Sequence, residues 1–285
     1  MPIESHAVLI TGTSTGIGRE TAKLLAGKGA PVYATARNLD SIADLESFGC
    51  RLLELDVTDE ASARRAVDHV IAKEGAVGVL VNNAGINELG AVETLPLDRV
   101  QAMFDTNLFG LMRMCQLVLP RMRAQGWGRI VNVGSMNGRF TFPGMGSYCA
   151  TKHAIEATSD ALRHEVRPFG VHVSLIQPGM VKTDLGKTAV QRRSGDHDGP
   201  YSDYMSGVVE SALTYQDGPM ARLACDPEDV AATIRRAIDE DRPRARYRVA
   251  ASAPLMLTTR KLLPDAAFDA FIRSQFPSPE PSTRG

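Results

Sequence analysis

The chain has 285 residues, and 32 Lys+Arg against 33 Asp+Glu leave a formal charge of −1. That near-neutrality excludes nucleic acid or an anionic membrane surface as the main partner, because both contacts need a basic field. Apolar residues at 44% and charged residues at 23% are globular values, and the length suits one α/β domain over residues 1–285. The opening MPIESHAVLITGTS lacks a cationic segment followed by an apolar run, so it does not read as a signal peptide. No apolar stretch approaches the ~20 residues of a membrane helix. Cys50, Cys115, Cys149 and Cys225 are far apart and form no CxxC pair, which fits reduced thiols in a cytoplasmic protein. Neither they nor the six histidines have the spacing of a metal site.

Short runs rich in β-branched residues recur at 7–11, 32–36, 51–55, 77–81, 129–133 and 171–176. Unbroken apolar runs of this length predict strands buried on both faces of a parallel sheet. Helical patterns separate them. Residues 18–28 carry Ala22, Leu25 and Ala26, and 59–73 place Ala63, Ala66, Val67 and Val70 on one stripe. Longer helical stretches cover 97–124 and 148–169, and a helix over 227–239 leads to a last strand at 244–250. Strands alternating with helices imply βαβ crossovers and a doubly wound sheet of about seven strands. Two stretches break the pattern. Residues 186–207, containing QRRSGDHDGPYSDYM, are polar and aperiodic, which predicts a long loop or a lid extending to about 225. The Pro- and Ser-rich tail 277–285 is expected to fray.

The first strand runs straight into Thr11-Gly12-Thr13-Ser14-Thr15-Gly16-Ile17-Gly18 and then a helix. Glycines allow a tight turn and bring backbone N–H groups against a pyrophosphate at the helix N-terminus. The spacing is G-x-x-x-G-x-G rather than G-x-G-x-x-G, and alone such a turn could be simple punctuation. The second strand ends in Ala36-Arg37, where a carboxylate would bind the 2′-hydroxyl of NAD. A guanidinium suits a 2′-phosphate instead, so NADP(H) is the expected cofactor, with NAD(H) left open. Asp56, followed by Val57, closes the third strand and could meet the adenine or cap the next helix.

Asn82-Asn83-Ala84-Gly85 follows the fourth strand, Ser135 the fifth, and Tyr148-Cys149-Ala150-Thr151-Lys152 opens a helix. Tyr148 and Lys152 stand one turn apart on one helix face. A phenol with an ordinary pKa near ~10 is a poor acid or base at neutral pH, and a nearby ammonium brings its anion into range. Ser135 offers a hydroxyl to polarise a substrate oxygen. Tyr-x-x-x-Lys alone is common; its combination with the glycine turn and Ser135 is not a chance pattern.

With these residues in place, the sequence resembles the classical short-chain dehydrogenase/reductase family over about 8–183, nearly two-thirds of the chain. The resemblance implies a Rossmann-type fold and a catalytic tetrad of Asn107, Ser135, Tyr148 and Lys152. It implies that Thr11, Gly12, Gly16 and Gly18 form the cofactor turn and that Asn83, Ala84 and Gly85 support the adenosine side. Pro178, Gly179, Val181 and Thr183 resemble the loop that binds the nicotinamide. The implied reaction is hydride transfer between nicotinamide and a carbonyl carbon. Tyr148 would exchange the proton, Lys152 would hold the ribose, and Asn107 would hold a water of the relay. The family also implies a homodimer or homotetramer paired through helices 97–124 and 148–169.

Met136, Phe140, Phe142, Met145, Met180, Leu185, Tyr201, Tyr204 and Met205 are expected around the substrate. Such an apolar, adaptable wall suits a bulky lipophilic ketone or alcohol, and the steroid-type members of the family fit it best. Arg192 and Arg193 read as a solvated loop pair, and Cys149 as a small buried hydrophobe. Two rival readings are an NADP-binding regulator without turnover and, further off, a nucleotide-sugar epimerase or dehydratase.

Overall fold

The computed structural model describes residues 4–27, 29, 31–183, 188, 199–214 and 219–276. Seven strands form one parallel sheet in the order β3-β2-β1-β4-β5-β6-β7. They are β1 Val8–Ile10, β2 Val32–Ala36, β3 Arg51–Glu54, β4 Val79–Asn82, β5 Gly128–Val133, β6 Val171–Pro178 and β7 Arg246–Val249. Residues of β1, β2, β4 and β5 are buried throughout, which is why these strands read as continuous apolar runs rather than alternating ones. The edge strand β3 has exposed Arg51 and Glu54 at its ends, charges that discourage pairing with another chain.

Helices cover both faces. On one side α2 (Glu60–Glu74), α4 (Gly110–Gln125) and α5 (Gly146–Val166) bury Val67, Met114, Val118 and Ile155 against the sheet. On the other, α1 (Gly16–Ala26) and the helix Pro227–Asp239 contribute Ala22, Leu25, Val230 and Ile234. Asp59 caps α2, its carboxylate accepting from the Ala61 and Ser62 N–H groups at 3.0 and 3.3 Å. The stretch expected as one helix from 97 to 124 is instead α3 (Leu97–Phe104), a π-helical turn at Asp105–Phe109, and α4. The wider turn carries the buried Asn107, an irregularity of the kind that clusters at functional sites.

The other departures lie after β6. A helix, α6, occupies Ser202–Thr214, so the loop expected through 207 ends earlier. Its buried Met205 and Val208, with half-buried Tyr204 and Val209, supply an apolar stripe that begins inside the polar stretch. The helix Pro227–Asp239 becomes α7 here, and two further helices not anticipated follow β7, α8 (Ser252–Leu262) and α9 (Asp265–Arg273). Residues 189–198 and the tail 277–285 lie outside the described residues, as do Leu185, Arg192 and Arg193. No helix among the described residues is long and apolar enough to cross a membrane.

Strand β1 lies between β2 and β4, so the chain leaves it toward opposite edges of the sheet. In doubly wound sheets the crevice at such a switch point, beyond the carboxyl ends of the strands, is where ligands bind.

Candidate active site

A continuous cleft of about 1140 Å³ opens there, lined by the β1–α1 turn, the ends of β2 to β6 and the C-terminal helices. Thr11 and Asn83 build its floor. Thr11 Oγ1 accepts from the Asn83 and Ala84 N–H groups, both at 3.0 Å. In return Asn83 Nδ2 donates to the carbonyl oxygens of Thr11 and Gly12 at 3.0 and 2.8 Å. Asn83 is thus a strut holding the glycine turn to the end of β4. Gly12 has φ +70°, and a Cβ there would lie 2.9 Å from Ala84 Cα. Gly18 is a packing glycine, since a Cβ would fall 2.3 Å from both Asn83 Nδ2 and the Gly12 oxygen.

Thr15 precedes α1 without a side-chain cap, so the first-turn N–H groups of α1 receive none from it. Ser14, Thr15, Gly16 and Ile17 line the cleft at this end, as do Arg37, Asp56, Val57, Asn83, Ala84 and Gly85. N–H groups at a helix start suit an anion such as pyrophosphate. Asp56 does not cap α2: its carboxylate is taken by the Thr58 N–H and hydroxyl at 2.9 and 2.7 Å. Pro178, Gly179, Val181 and Thr183 form the opposite wall. Ser252, at the start of α8, accepts from the Met180 N–H at 2.9 Å and fixes this loop.

Ser135 follows β5 and caps a short 3-10 turn. Its Oγ accepts from the Asn137 N–H at 3.1 Å, and its own hydroxyl is hydrogen-bonded with Tyr148. Tyr148 and Lys152 rise from the first turns of α5 and are both buried. Burial pushes the Tyr148 hydroxyl up, the neighbouring Cys149 adds to this, and a hydrogen bond with Ser135 pulls in the opposite direction. Burial alone brings the Lys152 ammonium down to about 8. Lys152 Nζ donates to the Val133 carbonyl oxygen at 3.0 Å. Below them, Glu156 accepts from Gln177 Nε2 at 2.5 Å and Arg246 Nε at 3.0 Å, tying α5 to β6 and β7.

Ser135, Tyr148 and Lys152 line the cleft together; Asn107 stands behind it. Its Oδ1 accepts from the Ile86 N–H at 2.8 Å, and its Nδ2 donates to the Ile86 oxygen and Thr151 Oγ1 at 2.9 and 3.1 Å. The side chain is therefore spent on bracing the loop after β4 against α5.

Of the expected substrate-side residues, Met136, Phe142, Met145 and Met180 line the cleft. Phe140 packs behind it, edge-on to Phe142 and Phe268, while Tyr204 and Met205 belong to the layer beneath α6. Tyr201 is drawn outward by a 2.7 Å hydrogen bond to Glu93. Lining residues missed in the sequence include Asn87, Asn137, Val208, Met256 and Phe276. The amphipathic pattern of 252–262 was the available signal for Met256; Phe276 lies beyond the last helix and had none. Among the described residues no group of His, Cys, Asp or Glu is placed to hold a metal ion.

The family model of short chain dehydrogenase matches residues 6–194. The chain belongs to that family. Relatives include 3-ketodihydrosphingosine reductase of Bacteroides thetaiotaomicron, 34% identical over 92% of this chain and 95% of that protein. Human 17-beta-hydroxysteroid dehydrogenase type 1 is 35% identical over 90% of this chain and 78% of its own length. Among solved structures, a short-chain dehydrogenase from Streptomyces avermitilis superposes with a TM-score of 0.80 at 31% identity, covering 96% of this chain and 97% of that one. A gluconate 5-dehydrogenase from Burkholderia cenocepacia J2315, solved with NADP and tartrate, has a TM-score of 0.73 at 26% identity over 90% and 96% of the two chains. Membership makes this short-chain dehydrogenase an oxidoreductase acting on alcohol and ketone groups.

Proposed function

We propose that the chain is an NADP(H)-dependent oxidoreductase interconverting a carbonyl and a secondary alcohol on a bulky lipophilic substrate, steroid-like in size. The observation that carries this reading is the meeting of Ser135, Tyr148 and Lys152 in one cleft whose farther wall is apolar. Arg37 at the end of β2, where no carboxylate stands, supports the phosphorylated cofactor, as does the NADP-bound gluconate 5-dehydrogenase. One relative is named for a hydroxysteroid and another for 3-ketodihydrosphingosine, and both names fit a lipophilic ketone or alcohol.

The residues present fit the cofactor: a glycine cradle that a Cβ would fill, helix N–H groups without a Thr15 cap, and a guanidinium beyond them. When bound, NADPH supplies the hydride. The turn 12–18 would hold the pyrophosphate, Arg37 the 2′-phosphate, Lys152 the ribose hydroxyls and the 178–183 loop the nicotinamide end. With substrate bound, Ser135 turns its hydroxyl hydrogen from Tyr148 to the substrate oxygen and so polarises the carbonyl. Tyr148 gives its phenolic proton to the same oxygen as alkoxide character develops, and takes it back in the oxidative direction. The Lys152 ammonium stabilises the resulting phenolate. Asn107 acts as a positioning residue, holding Ile86 and Thr151 beneath Tyr148. We infer also that the protein is cytoplasmic, which cell fractionation checks. Two or more copies would pair through α4 and α5, near the half-exposed Phe109, and light scattering on the purified protein tests this.

The test is absorbance decay of NADPH and NADH against lipophilic carbonyls including steroids, retinal and quinones, with Tyr148→Phe alongside. The expected result is NADPH consumption with a bulky ketone, lowered about 10²–10⁴-fold in Tyr148→Phe while NADPH still binds. Tight NADPH binding with no turnover on any carbonyl would overturn the proposal in favour of a regulator.

A further inference from the structure

Between β7 and α8 the backbone makes an elbow at Ala250. With φ +69° it is the one residue other than glycine, among the described residues, in the left-handed region. A Cβ makes that conformation costly, so it persists only where the surroundings impose it. Here the surroundings are the loop after β6. The Gly179 N–H donates to the Val249 oxygen at 2.8 Å, and the Met180 N–H donates to Ser252 Oγ at 2.9 Å. Residues flanking the elbow on both sides are therefore bonded to two consecutive residues of that loop.

The approach is close. Ser252 is fully buried, and a Cβ on Gly179 would fall 2.2 Å from its Oγ and 2.8 Å from the Ala253 nitrogen. The start of α8 thus rests directly on the backbone of the loop. Met180 belongs to both structures. Its N–H is held by Ser252, while its side chain lines the cleft and packs in the cluster that contains Ala253 and Met256. Ser252 also lies beyond residues 6–194, the part that the family model matches. A loop inside the matched region is held here by a hydroxyl from outside it.

Resting on the NADP(H) reading, we propose that Ser252 is a positioning residue for the nicotinamide end of the cofactor. Its hydroxyl, brought to Met180 by the Ala250 elbow, sets the 178–183 loop at a fixed spacing from the substrate wall on α8. Without that hydroxyl the buried Met180 N–H loses its acceptor and the loop leaves its place part of the time. Cofactor binding must then restore the loop, which lowers the apparent affinity by the fraction of molecules that have it in place. The adenosine end, held by the turn 12–18 and Arg37, does not touch this clamp. Hydride transfer suffers as well, because small misplacements of reacting groups are costly.

The experiment titrates NADPH and adenosine 2′,5′-bisphosphate calorimetrically into the unmodified protein, Ser252→Ala, Ala250→Gly and the double variant. The bisphosphate carries the adenosine and the 2′-phosphate and lacks the nicotinamide. Ser252→Ala should bind NADPH about tenfold more weakly and the bisphosphate within about twofold of the unmodified protein. Its kcat, on whichever steroid, retinal or quinone the unmodified protein reduces, should fall about tenfold or more. Ala250→Gly relieves the backbone and should raise Tm by a few degrees while NADPH affinity stays as it was. In the double variant Tm should return toward that of the unmodified protein, yet the loss of NADPH affinity should remain. Unchanged NADPH affinity in Ser252→Ala would overturn the proposal, as would equal weakening of both ligands. Recovery of NADPH affinity together with Tm in the double variant would also overturn it, leaving Ser252 a purely structural residue. An unmodified protein that binds neither ligand would instead overturn the NADP(H) reading on which it rests.

Discussion

The Lys152 ammonium stands 5.7 Å from the centre of the Tyr148 ring, one turn along the same helix. Burial acts on the two in opposite senses, raising the phenol and lowering the ammonium to about 8. Tyr148 therefore keeps its proton through the neutral range, the state a reductase needs before it protonates an alkoxide. Lys152 loses its charge as pH rises past about 8, and with it the stabilisation of the phenolate that reduction leaves behind. The kcat/KM for ketone reduction should be flat below about 8 and decline above it, whereas alcohol oxidation, which starts from the phenolate, should gain with pH. Full pH profiles in both directions check this.

The same burial carries a stability consequence. A lysine whose folded pKa is about 8 against an ordinary 10.5 is disfavoured in the folded state whenever it is charged. Lys152→Met should abolish turnover yet raise Tm by a few degrees at pH 7. The advantage should shrink as pH climbs from about 8 toward 10.5, where the unfolded chain also loses the proton. Calorimetry at several pH values, without cofactor, reads the trend.

Arg37 is exposed at the end of β2 and lines the end of the cleft proposed for the cofactor. Arg37→Asp places a carboxylate where a 2′-phosphate would lie and where a 2′-hydroxyl can donate to it. The KM for NADPH should rise about 100-fold while that for NADH falls, a change of about 3 kcal/mol in preference. An unchanged cofactor ratio would show that the phosphate is held elsewhere.

Asn83 bonds two backbone carbonyls of the glycine turn through a single amide. Asn83→Ala leaves both without this partner and should cost about 1–3 kcal/mol of stability. Because the turn itself loosens, NADPH should bind about tenfold more weakly, by fluorescence titration, than to the unmodified protein. Asn83→Asp, which replaces the donor with a carboxylate facing those same oxygens, should be worse than alanine.

The half of the cleft proposed to hold the cofactor was legible because its signals are local. Thr11 to Gly18 form one turn, Ala36-Arg37 end one strand, and Tyr148 and Lys152 share one helix face, so spacing alone brings each group together. The strands were legible for a similar reason, since burial on both faces leaves no polar alternation to misread. The substrate half depends on contacts between distant segments. Met256 and Phe276 reach the cleft only because α8 and α9 fold back onto the turn after β5, where Phe276 meets Phe142 at 5.8 Å between ring centres. Asn107 showed its residue type but not its use, because nothing in DTNLF announces a π turn. Asn87 and Asn137 were passed over because an asparagine in a loop is ordinary until its surroundings are known to be dry.

The order in which the cleft's walls appear along the chain has a consequence for synthesis. A nascent chain that has emerged through β6 already contains the glycine turn, the strut at Asn83, Arg37 and the whole Ser135–Tyr148–Lys152 group. The clamp at Ser252, the greasy wall at Met256 and the closing ring of Phe276 leave the ribosome after them. A growing polypeptide of this kind acquires a seat for the nucleotide well before it acquires one for the ketone. On the proposed reading, selectivity for the substrate is thus gained after the capacity to bind nucleotide, and loss of the segment after β7 would leave the cleft without its apolar wall.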